Sequence, residues 1–274
     1  MIGSDAQLQK QLARHLERVL VIDSNVASGR LIQDLLRDVG ARDIMIEASD
    51  VHSLATCKQF SPQIIFTELS GPALDGLRFT RDLRRSTLPC RKAPVILVTA
   101  EATAAAIVAS RNAGVHEFLR KPFTTRDLLR RLEAVALRSR DWIEAVAYIG
   151  PDRRRFNSGD YQGPRKRQTD AAPTPDSERI SQALKILRAA IAAIDSDPVQ
   201  ALRSMQAQAA ELKSTALSSA GLELAGAVAL LQRRLSTASA NGALNRADIE
   251  AAAAGLWAFM PPEATPAKSA GAAA

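Results

Sequence analysis

Residues 62–76 read PQIIFTELSGPALDG and join an apolar run to a glycine-containing loop. Within them, residues 64–67 are apolar or β-branched without interruption, which is typical of a parallel strand covered on both faces. The loop that follows contains Gly71, Pro72 and Gly76, residue types that end regular structure. An amphipathic pattern begins after Gly76, so the stretch predicts a strand, a loop and a helix in succession.

The same unit recurs on both sides of this stretch. Four further short strands are predicted at residues 19–22, 44–46, 95–98 and 117–119. Each is followed by a segment whose apolar residues recur at helical spacing. Five strands that alternate with helices indicate an α/β fold with a five-stranded, doubly wound parallel sheet of the flavodoxin-like kind.

Changes in composition divide the chain into segments. We expect a helical extension at 1–17, the α/β domain at 18–147, an arginine-rich disordered segment at 148–167, a linker at 168–177, an α-helical bundle at 178–260 and a disordered tail at 261–274. The last helix of the α/β domain is expected to continue through Trp142, Ile143 and Val146, because these apolar residues follow its helical pattern.

The charge and the cysteine content limit the classes of function. The chain has 274 residues and a net charge of +7, with a sequence pI near 9.8, which favours an anionic partner without choosing among nucleotide, nucleic acid and membrane. Cys57 and Cys90 have no motif spacing and the three histidines are scattered, so neither a metal site nor a disulfide is expected. No apolar run reaches the length of a membrane span and no signal-peptide pattern is present, which predicts a cytoplasmic protein.

Polar residues stand at the ends of the predicted strands. Asp23, Glu68 and Thr99 come at the ends of the first, third and fourth strands, and Lys121 follows the fifth. Because parallel sheets of this kind bind ligands at the carboxyl ends of their strands, we expect these ends to carry the chemistry of the domain.

This arrangement resembles the response regulator receiver domain, whose phosphorylation site combines an Asp nucleophile, an acidic pair for Mg²⁺, a Thr or Ser, and a Lys. Here Glu68 stands at the nucleophile position and Ser24 replaces one carboxylate of the acidic pair. Loss of a carboxylate weakens a Mg²⁺ site, and the extra C–C bond of Glu68 moves its carboxylate outward by about 1.5 Å.

The resemblance therefore implies a degenerate phosphoacceptor site with no catalytic residue and no metal. Its members are Asp23, Ser24, Glu68, Thr99 and Lys121. Two interpretations stay open: the site is drifting because it is unused, or Glu68 paired with Lys121 holds the domain in an active-like arrangement.

Residues 148–167 read YIGPDRRRFNSGDYQGPRKR and contain two copies of Y-x-G-P, each followed by a basic cluster. Two matched copies predict two half-sites for a ligand with two equivalent halves. Arginine can bind phosphate or the guanine edge and can stack on a base, and aspartate can accept hydrogen bonds from guanine. The candidate ligand residues are Tyr148, Gly150, Pro151, Asp152, Arg153, Arg154, Arg155, Tyr161, Gly163, Pro164, Arg165, Lys166 and Arg167. The alternative is a basic linker that touches nucleic acid or acidic lipid without specificity.

The GPDRRR and GPRKR motifs behind the α/β domain make residues 18–167 similar to the Cle family, the CheY-like effectors of cyclic di-GMP. The resemblance implies that the arginines bind this symmetric dinucleotide and that the downstream partner is the flagellar motor switch. Motility and surface attachment would be the regulated processes, with recruitment to the flagellar pole. Ligand binding would order the segment and promote docking.

Two other classes of protein stay open for this chain. One is a phosphorylation-dependent two-component response regulator, which Glu68 argues against. The other is a nucleic-acid-binding protein without sequence preference, whose binding would fall steeply with salt.

The predicted bundle contains AELKSTALSSAGLELAG at residues 210–226, which resembles the helical hairpin of histidine phosphotransfer domains. Ala210 occupies the place of the phosphorylated histidine, and without an imidazole no phosphotransfer can occur. The resemblance implies a docking or dimerisation module, and an unrelated alanine-rich bundle remains the alternative.

Overall fold

The structure is a computed structural model that describes residues 7, 10–153, 175–217, 221–241 and 244–260. The chain divides into two compact units. The α/β unit comprises Met1–Ile143 with Ala147–Gly163, and the helical unit comprises Glu144–Val146 with Pro164–Ala274.

The α/β unit is built on a parallel sheet of five strands. In chain order its elements are β1 Arg18–Ile22, α1 Val26–Val39, β2 Asp43–Glu47, α2 Ser53–Phe60, β3 Ile64–Glu68, β4 Ser70–Gly71, β5 Leu74–Asp75, α3 Gly76–Arg85, β6 Val95–Thr99, α4 Ala104–Ala113, β7 Glu117–Arg120 and α5 Thr125–Ala136. The strand order β2-β1-β3-β6-β7 and the parallel pairing confirm the predicted doubly wound α/β fold.

Side-chain caps begin the helices close behind the strands. The Asn25 side chain accepts a hydrogen bond from the Ser28 N–H at the start of α1, and Asp75 caps α3. Thr124 and Asp127 form a reciprocal capping box at the start of α5. These caps satisfy N–H groups that the first helical turn leaves without partners. As a result, the β1–α1 and β7–α5 connections stay short and the strand ends stay near one edge of the sheet.

Each face of the sheet is covered by its own apolar cluster. One cluster contains Leu12 and Leu16 from the chain preceding β1 together with Val19, Val21, Ile32, Leu36, Phe66, Ile96, Leu128 and Leu132. The other contains Leu20, Ile22, Ile65, Leu74, Phe79, Leu83, Val95 and Leu97. Residues 10–13 are helical, so the described part of the predicted amino-terminal helix contributes Leu12 to the core of the α/β unit, and Leu16 follows the helix after a turn.

The chain beyond α5 differs from the sequence prediction in two ways. The helix ends at Ala136 and does not continue through Trp142, Ile143 and Val146. Instead β8, Trp142–Glu144, pairs with β9, Ile149–Pro151, in a two-stranded sheet. The expectation of an irregular segment from residue 148 was therefore wrong for its first residues. A short apolar run does not by its spacing distinguish a helix from a strand.

A buried arginine explains where this hairpin packs. Arg84, at the end of α3, is 1% exposed, and its Nε and Nη2 donate to the Gly114 carbonyl at 3.2 and 3.1 Å. Burial lowers the pKa of Arg84 to about 9. The Arg84 guanidinium carbon lies 5.3 Å from the centre of the Trp142 ring. Gly114 has a φ of +89°, and a Cβ added there would lie 2.4 Å from the Ile149 carbonyl oxygen.

The described residues of the helical unit form four helices around an apolar core, as predicted for the carboxyl-terminal part. Its elements are α6 Pro175–Ala192, α7 Pro198–Thr215, α8 Gly221–Asn241, α9 Arg246–Ala253 and a 3₁₀ turn at Ala254–Phe259. Leu184, Leu187, Met205, Val228 and Leu256 belong to its core. Ala210 is exposed on α7.

We predict that Gly114→Ala lowers the free energy of unfolding of the α/β unit by about 1–3 kcal/mol, because a β-carbon at positive φ is strained and also meets the Ile149 carbonyl. Urea denaturation followed by Trp142 fluorescence, in a Trp257→Phe background, measures it. Gly226→Ala is the matched control, since nothing lies within 4 Å of its added Cβ. An unchanged transition in Gly114→Ala would contradict this packing.

Candidate functional site

The carboxyl edge of the sheet brings together Asp23, Glu68 and Lys121, as the sequence predicts. The Lys121 ammonium nitrogen lies 2.9 Å from Asp23 Oδ2 and 3.2 Å from Glu68 Oε1. The Asp23 side chain is 1% exposed, whereas Lys121 and Glu68 are 22% and 18% exposed. One cation therefore bridges two carboxylates and leaves this group with a single net negative charge.

Ser24 binds the carboxylate of Glu68 directly. Its hydroxyl donates to Glu68 Oε2 at 2.7 Å, and its backbone N–H donates to the same oxygen at 3.3 Å. Both oxygens of Glu68 are thus occupied, one by Lys121 and the other by Ser24. Ser24 therefore acts as a hydrogen-bond donor to Glu68 through both its side chain and its backbone.

Asp23 is held in its ionised form. Burial by itself would raise the pKa of its carboxyl group, but hydrogen bonds from the Ser28 hydroxyl, Lys121 and the Asn25 N–H outweigh burial. The Ser28 hydroxyl donates at 2.6 Å and the Asn25 N–H at 2.9 Å. The pKa of Asp23 therefore lies below its ordinary value, and its charge is available to Lys121 at neutral pH.

Thr99 lies at the same edge but bonds to backbone groups. Its carbonyl accepts a hydrogen bond from the Lys121 N–H at 2.8 Å, and its hydroxyl oxygen accepts one from the Glu101 N–H at 3.0 Å. These bonds place Thr99 beside Lys121 along the sheet edge.

The β4–β5 turn packs on the Ser24–Glu68 pair. A Cβ added at Gly71 would lie 2.2 Å from the Ser24 hydroxyl oxygen and 3.3 Å from Glu68 Oε2. A Cβ at Gly76 would lie 2.0 Å from the Glu68 carbonyl oxygen. The two glycines of the loop are therefore needed for close approach of the backbone to Ser24 and Glu68.

The donor set at this edge does not fit the Mg²⁺ ion that receiver domains use. Mg²⁺ requires hard oxygen ligands in near-octahedral geometry, yet Glu68 is already engaged by Lys121 and Ser24. Across the described residues, no group of three or more His, Cys, Asp or Glu side chains is arranged to hold a metal ion. No chemical step through a metal follows from these residues.

The first copy of the Y-x-G-P motif lies on the folded surface of the α/β unit. Tyr148 donates from its hydroxyl to the Pro151 carbonyl at 2.6 Å, and the Arg153 guanidinium carbon lies 3.4 Å from the centre of the Tyr148 ring. Gly150 is buried, and a Cβ there would lie 2.7 Å from the Gly114 Cα. Burial raises the pKa of Tyr148 although Arg153 acts in the opposite direction, so the phenol stays protonated and can donate.

Asn112 is a residue of this surface that the sequence interpretation missed. Its side-chain carbonyl accepts a hydrogen bond from Arg153 Nη1 at 2.8 Å. Asn112 is an exposed residue near the end of α4, and 41 residues separate it from its partner, so no local pattern indicates the contact.

Among the predicted ligand residues, Arg154, Arg155, Tyr161, Gly163, Pro164, Arg165, Lys166 and Arg167 lie outside the described residues. Asp152 lies within them, and its backbone N–H donates to the Asp141 carbonyl at 2.8 Å.

The two candidate sites occupy opposite edges of one sheet. Asp23, Glu68 and Lys121 lie at the carboxyl ends of the strands, whereas Gly114, which contacts the hairpin, precedes the amino end of β7. A ligand at Arg153 would therefore bind on the far side of the sheet from the degenerate phosphoacceptor site.

Comparison with known proteins concerns the α/β unit. The sequence profile of the family described as Response regulator receiver domain matches residues 19–133. The chain is similar to the chemotaxis protein CheY-3 of Vibrio cholerae, with 25% identity over 118 residues that make up 43% of this chain and 90% of the relative. It is also similar to the DNA-binding response regulator MtrA of Mycobacterium tuberculosis, with 23% identity over 46% of this chain and 53% of the relative.

Two solved structures are also similar to part of the chain. The receiver domain of the sensor histidine kinase PA1611 from Pseudomonas aeruginosa matches 43% of this chain and 94% of its own, with 26% identity and a TM-score of 0.39. CheY4 of Vibrio cholerae matches 44% of this chain and 98% of its own, with 22% identity and a TM-score of 0.41.

None of the helices in the described ranges combines the length and the apolar character needed to cross a lipid bilayer. The strand order, the Asp23–Lys121 pair at the carboxyl edge and the profile match agree with one another. Residues 19–133 therefore form a response regulator receiver domain of the CheY-like kind.

Proposed function

We propose that this chain is a non-enzymatic signalling adaptor that binds cyclic di-GMP and whose receiver domain works without phosphorylation. The stacked pair of Arg153 and Tyr148 carries the ligand half of this proposal. The guanidinium carbon lies 3.4 Å from the ring centre, and this contact holds the planar set of donors in one place for bidentate binding of phosphate or of the guanine O6/N7 edge.

The composition of the ligand segment supports a symmetric ligand. The second Y-x-G-P copy, at residues 161–164, repeats the first copy and is again followed by a basic cluster, Arg165–Arg167. A ligand with two guanine halves and two phosphates offers each copy the same groups. A nucleotide with a single base would contact only one of the two Y-x-G-P copies.

The closed carboxyl edge supports independence from phosphorylation. Lys121 and Ser24 each bind one oxygen of Glu68. The backbone at Gly71 lies close to Ser24 and Glu68. A phosphodonor would have to displace these partners, and the Mg²⁺ ligands that receivers use are incomplete here. The input signal would then be the nucleotide alone.

Ligand binding would act by linkage on docking to a partner. Ordering of the arginine-rich segment costs conformational entropy, which contacts with the nucleotide would offset, so a partner that recognises the ordered state would bind more tightly when nucleotide is present. We propose the flagellar motor switch as that partner, with control of motility and surface attachment and recruitment to the flagellar pole as the outcome.

A phosphorylation-dependent response regulator is the second candidate, because the profile match and the similarity to CheY-3 and MtrA place the domain among receivers. Asp23, Thr99 and Lys121 also stand at the positions that the receiver pattern requires. The two candidates differ in whether a phosphoryl group can be attached to residue 68.

We predict that calorimetric titration detects cyclic di-GMP binding and that replacing Arg153, Arg154 and Arg155 by alanine weakens it by at least about tenfold, because charge-assisted contacts are lost. GTP and single-stranded DNA are titrated in parallel. Arg30→Ala, which removes one exposed charge from α1, is the matched surface control. Equal affinity for all three ligands, with steep salt dependence, would instead support a nucleic-acid binder without sequence preference.

We predict that acetyl phosphate does not label the wild-type chain in the presence of Mg²⁺, and that the double variant Ser24→Asp/Glu68→Asp is labelled. The two changes restore the carboxylate pair for the metal and the shorter nucleophile. Intact-mass spectrometry measures the added phosphoryl group, and the triple variant with Lys121→Ala serves as the control. Labelling of the wild-type chain would favour the phosphorylation-dependent candidate.

A further inference from the structure

The first Y-x-G-P copy belongs to the folded surface before any ligand binds. Ile149 is 6% exposed, Gly150 and Pro151 are buried, and the Asp152 N–H is bonded to the Asp141 carbonyl. β9 also packs against α3. The contacts of these residues with the receiver domain therefore fix the position of the backbone that leads into Arg153.

Two contacts fix the Arg153 side chain as well. Tyr148 covers one face of the guanidinium at 3.4 Å, and Asn112 accepts a hydrogen bond from Nη1 at 2.8 Å. Because the Tyr148 hydroxyl is bonded to the Pro151 carbonyl at 2.6 Å, the ring itself is held in place. A long side chain that is already ordered loses less entropy when it binds a ligand.

We infer that Asn112, Tyr148 and Arg153 form a prebuilt half-site that binds one guanine nucleotide without the second Y-x-G-P copy. In this half-site Asn112 is a positioning residue: it directs the guanidinium plane and does not touch the ligand. The inference rests on the proposed function, because it specifies which described residues of that site recognise half of the dinucleotide.

The chemistry of the half-site selects the ligand class. The edge donors of Arg153 can pair with guanine O6 and N7, whereas adenine presents N7 beside an amino group that is itself a donor, so recognition of the base edge distinguishes GMP from AMP although both carry a phosphate. Tyr148 supports the plane from behind, so a base can stack only on the opposite side. GMP should therefore bind weakly, and cyclic di-GMP should bind more tightly because its second half is tethered to the first.

Because only the first Y-x-G-P copy forms this half-site, variants of the two copies should have different effects on GMP and on cyclic di-GMP. Variants of the second basic cluster should weaken the binding of cyclic di-GMP and leave the binding of GMP unchanged. Variants of Asn112 should weaken the binding of both ligands, because both contact Arg153.

The test is an NMR titration of the full chain with GMP and with AMP, combined with calorimetry for cyclic di-GMP. We expect GMP, and not AMP, to shift the amide signals of Asn112, Gly150 and Arg153. Asn112→Ala is expected to lower the affinity for GMP and for cyclic di-GMP by about three- to tenfold, the effect of losing one hydrogen bond. The variant with alanine at Arg165, Lys166 and Arg167 should keep the wild-type affinity for GMP, and Arg30→Ala should keep both.

Failure of the inference differs from failure of the proposed function. Wild-type chain that binds no cyclic di-GMP would overturn the proposed function. Two results would overturn only the prebuilt half-site. One is binding of cyclic di-GMP without binding of GMP, and the other is unchanged affinity for both ligands in Asn112→Ala. If Asn112→Ala lowers the Tm, the variant Asn112→Gln separates a structural role from a positioning role, because glutamine keeps an amide acceptor. Wild-type affinity for both nucleotides in Asn112→Gln would support positioning. A wild-type Tm without recovery of affinity would refute it.

Discussion

The salt bridge from Lys121 to Asp23 and Glu68 is the interaction on which the carboxyl edge of the receiver domain depends. The carboxylates of Asp23 and Glu68, which share one ammonium group, repel each other, and burying a charge without a partner lowers the stability of the fold. Lys121 supplies from the chain itself a positive charge that both carboxylates share. The edge can therefore remain folded without a ligand, although one net negative charge remains.

The same sheet provides a second edge that is independent of the first. Arg84 donates to the Gly114 carbonyl, and the close approach of Gly114 and Gly150 lets the hairpin pack against it. The hairpin in turn fixes the position from which Arg153 projects. Among the described residues, the contacts that hold the hairpin are thus separate from the contacts of Asp23, Glu68 and Lys121 at the carboxyl edge.

Sequence reasoning succeeded where local pattern determines structure. Strands such as residues 64–67 were predictable because burial on both faces requires continuous apolar runs, and Asp23 and Lys121 were predictable from their places at strand ends. It failed after Ala136, since the spacing of Trp142 and Ile143 suits helix and strand alike and the choice is made by packing. Long-range partners such as Asn112 leave no local signal.

The fit between Ser24 and Glu68 bears on whether this phosphoacceptor site is drifting or organised. Drift of an unused site removes one partner at a time and leaves buried carboxylate oxygens without donors, at a cost for each. Here both Glu68 oxygens and both Asp23 oxygens accept hydrogen bonds. Gly71 further permits the loop to lie on the Ser24–Glu68 pair, a contact that any larger residue would prevent. Such mutual fit argues that the Glu68 carboxylate and the Ser24 hydroxyl form an organised pair.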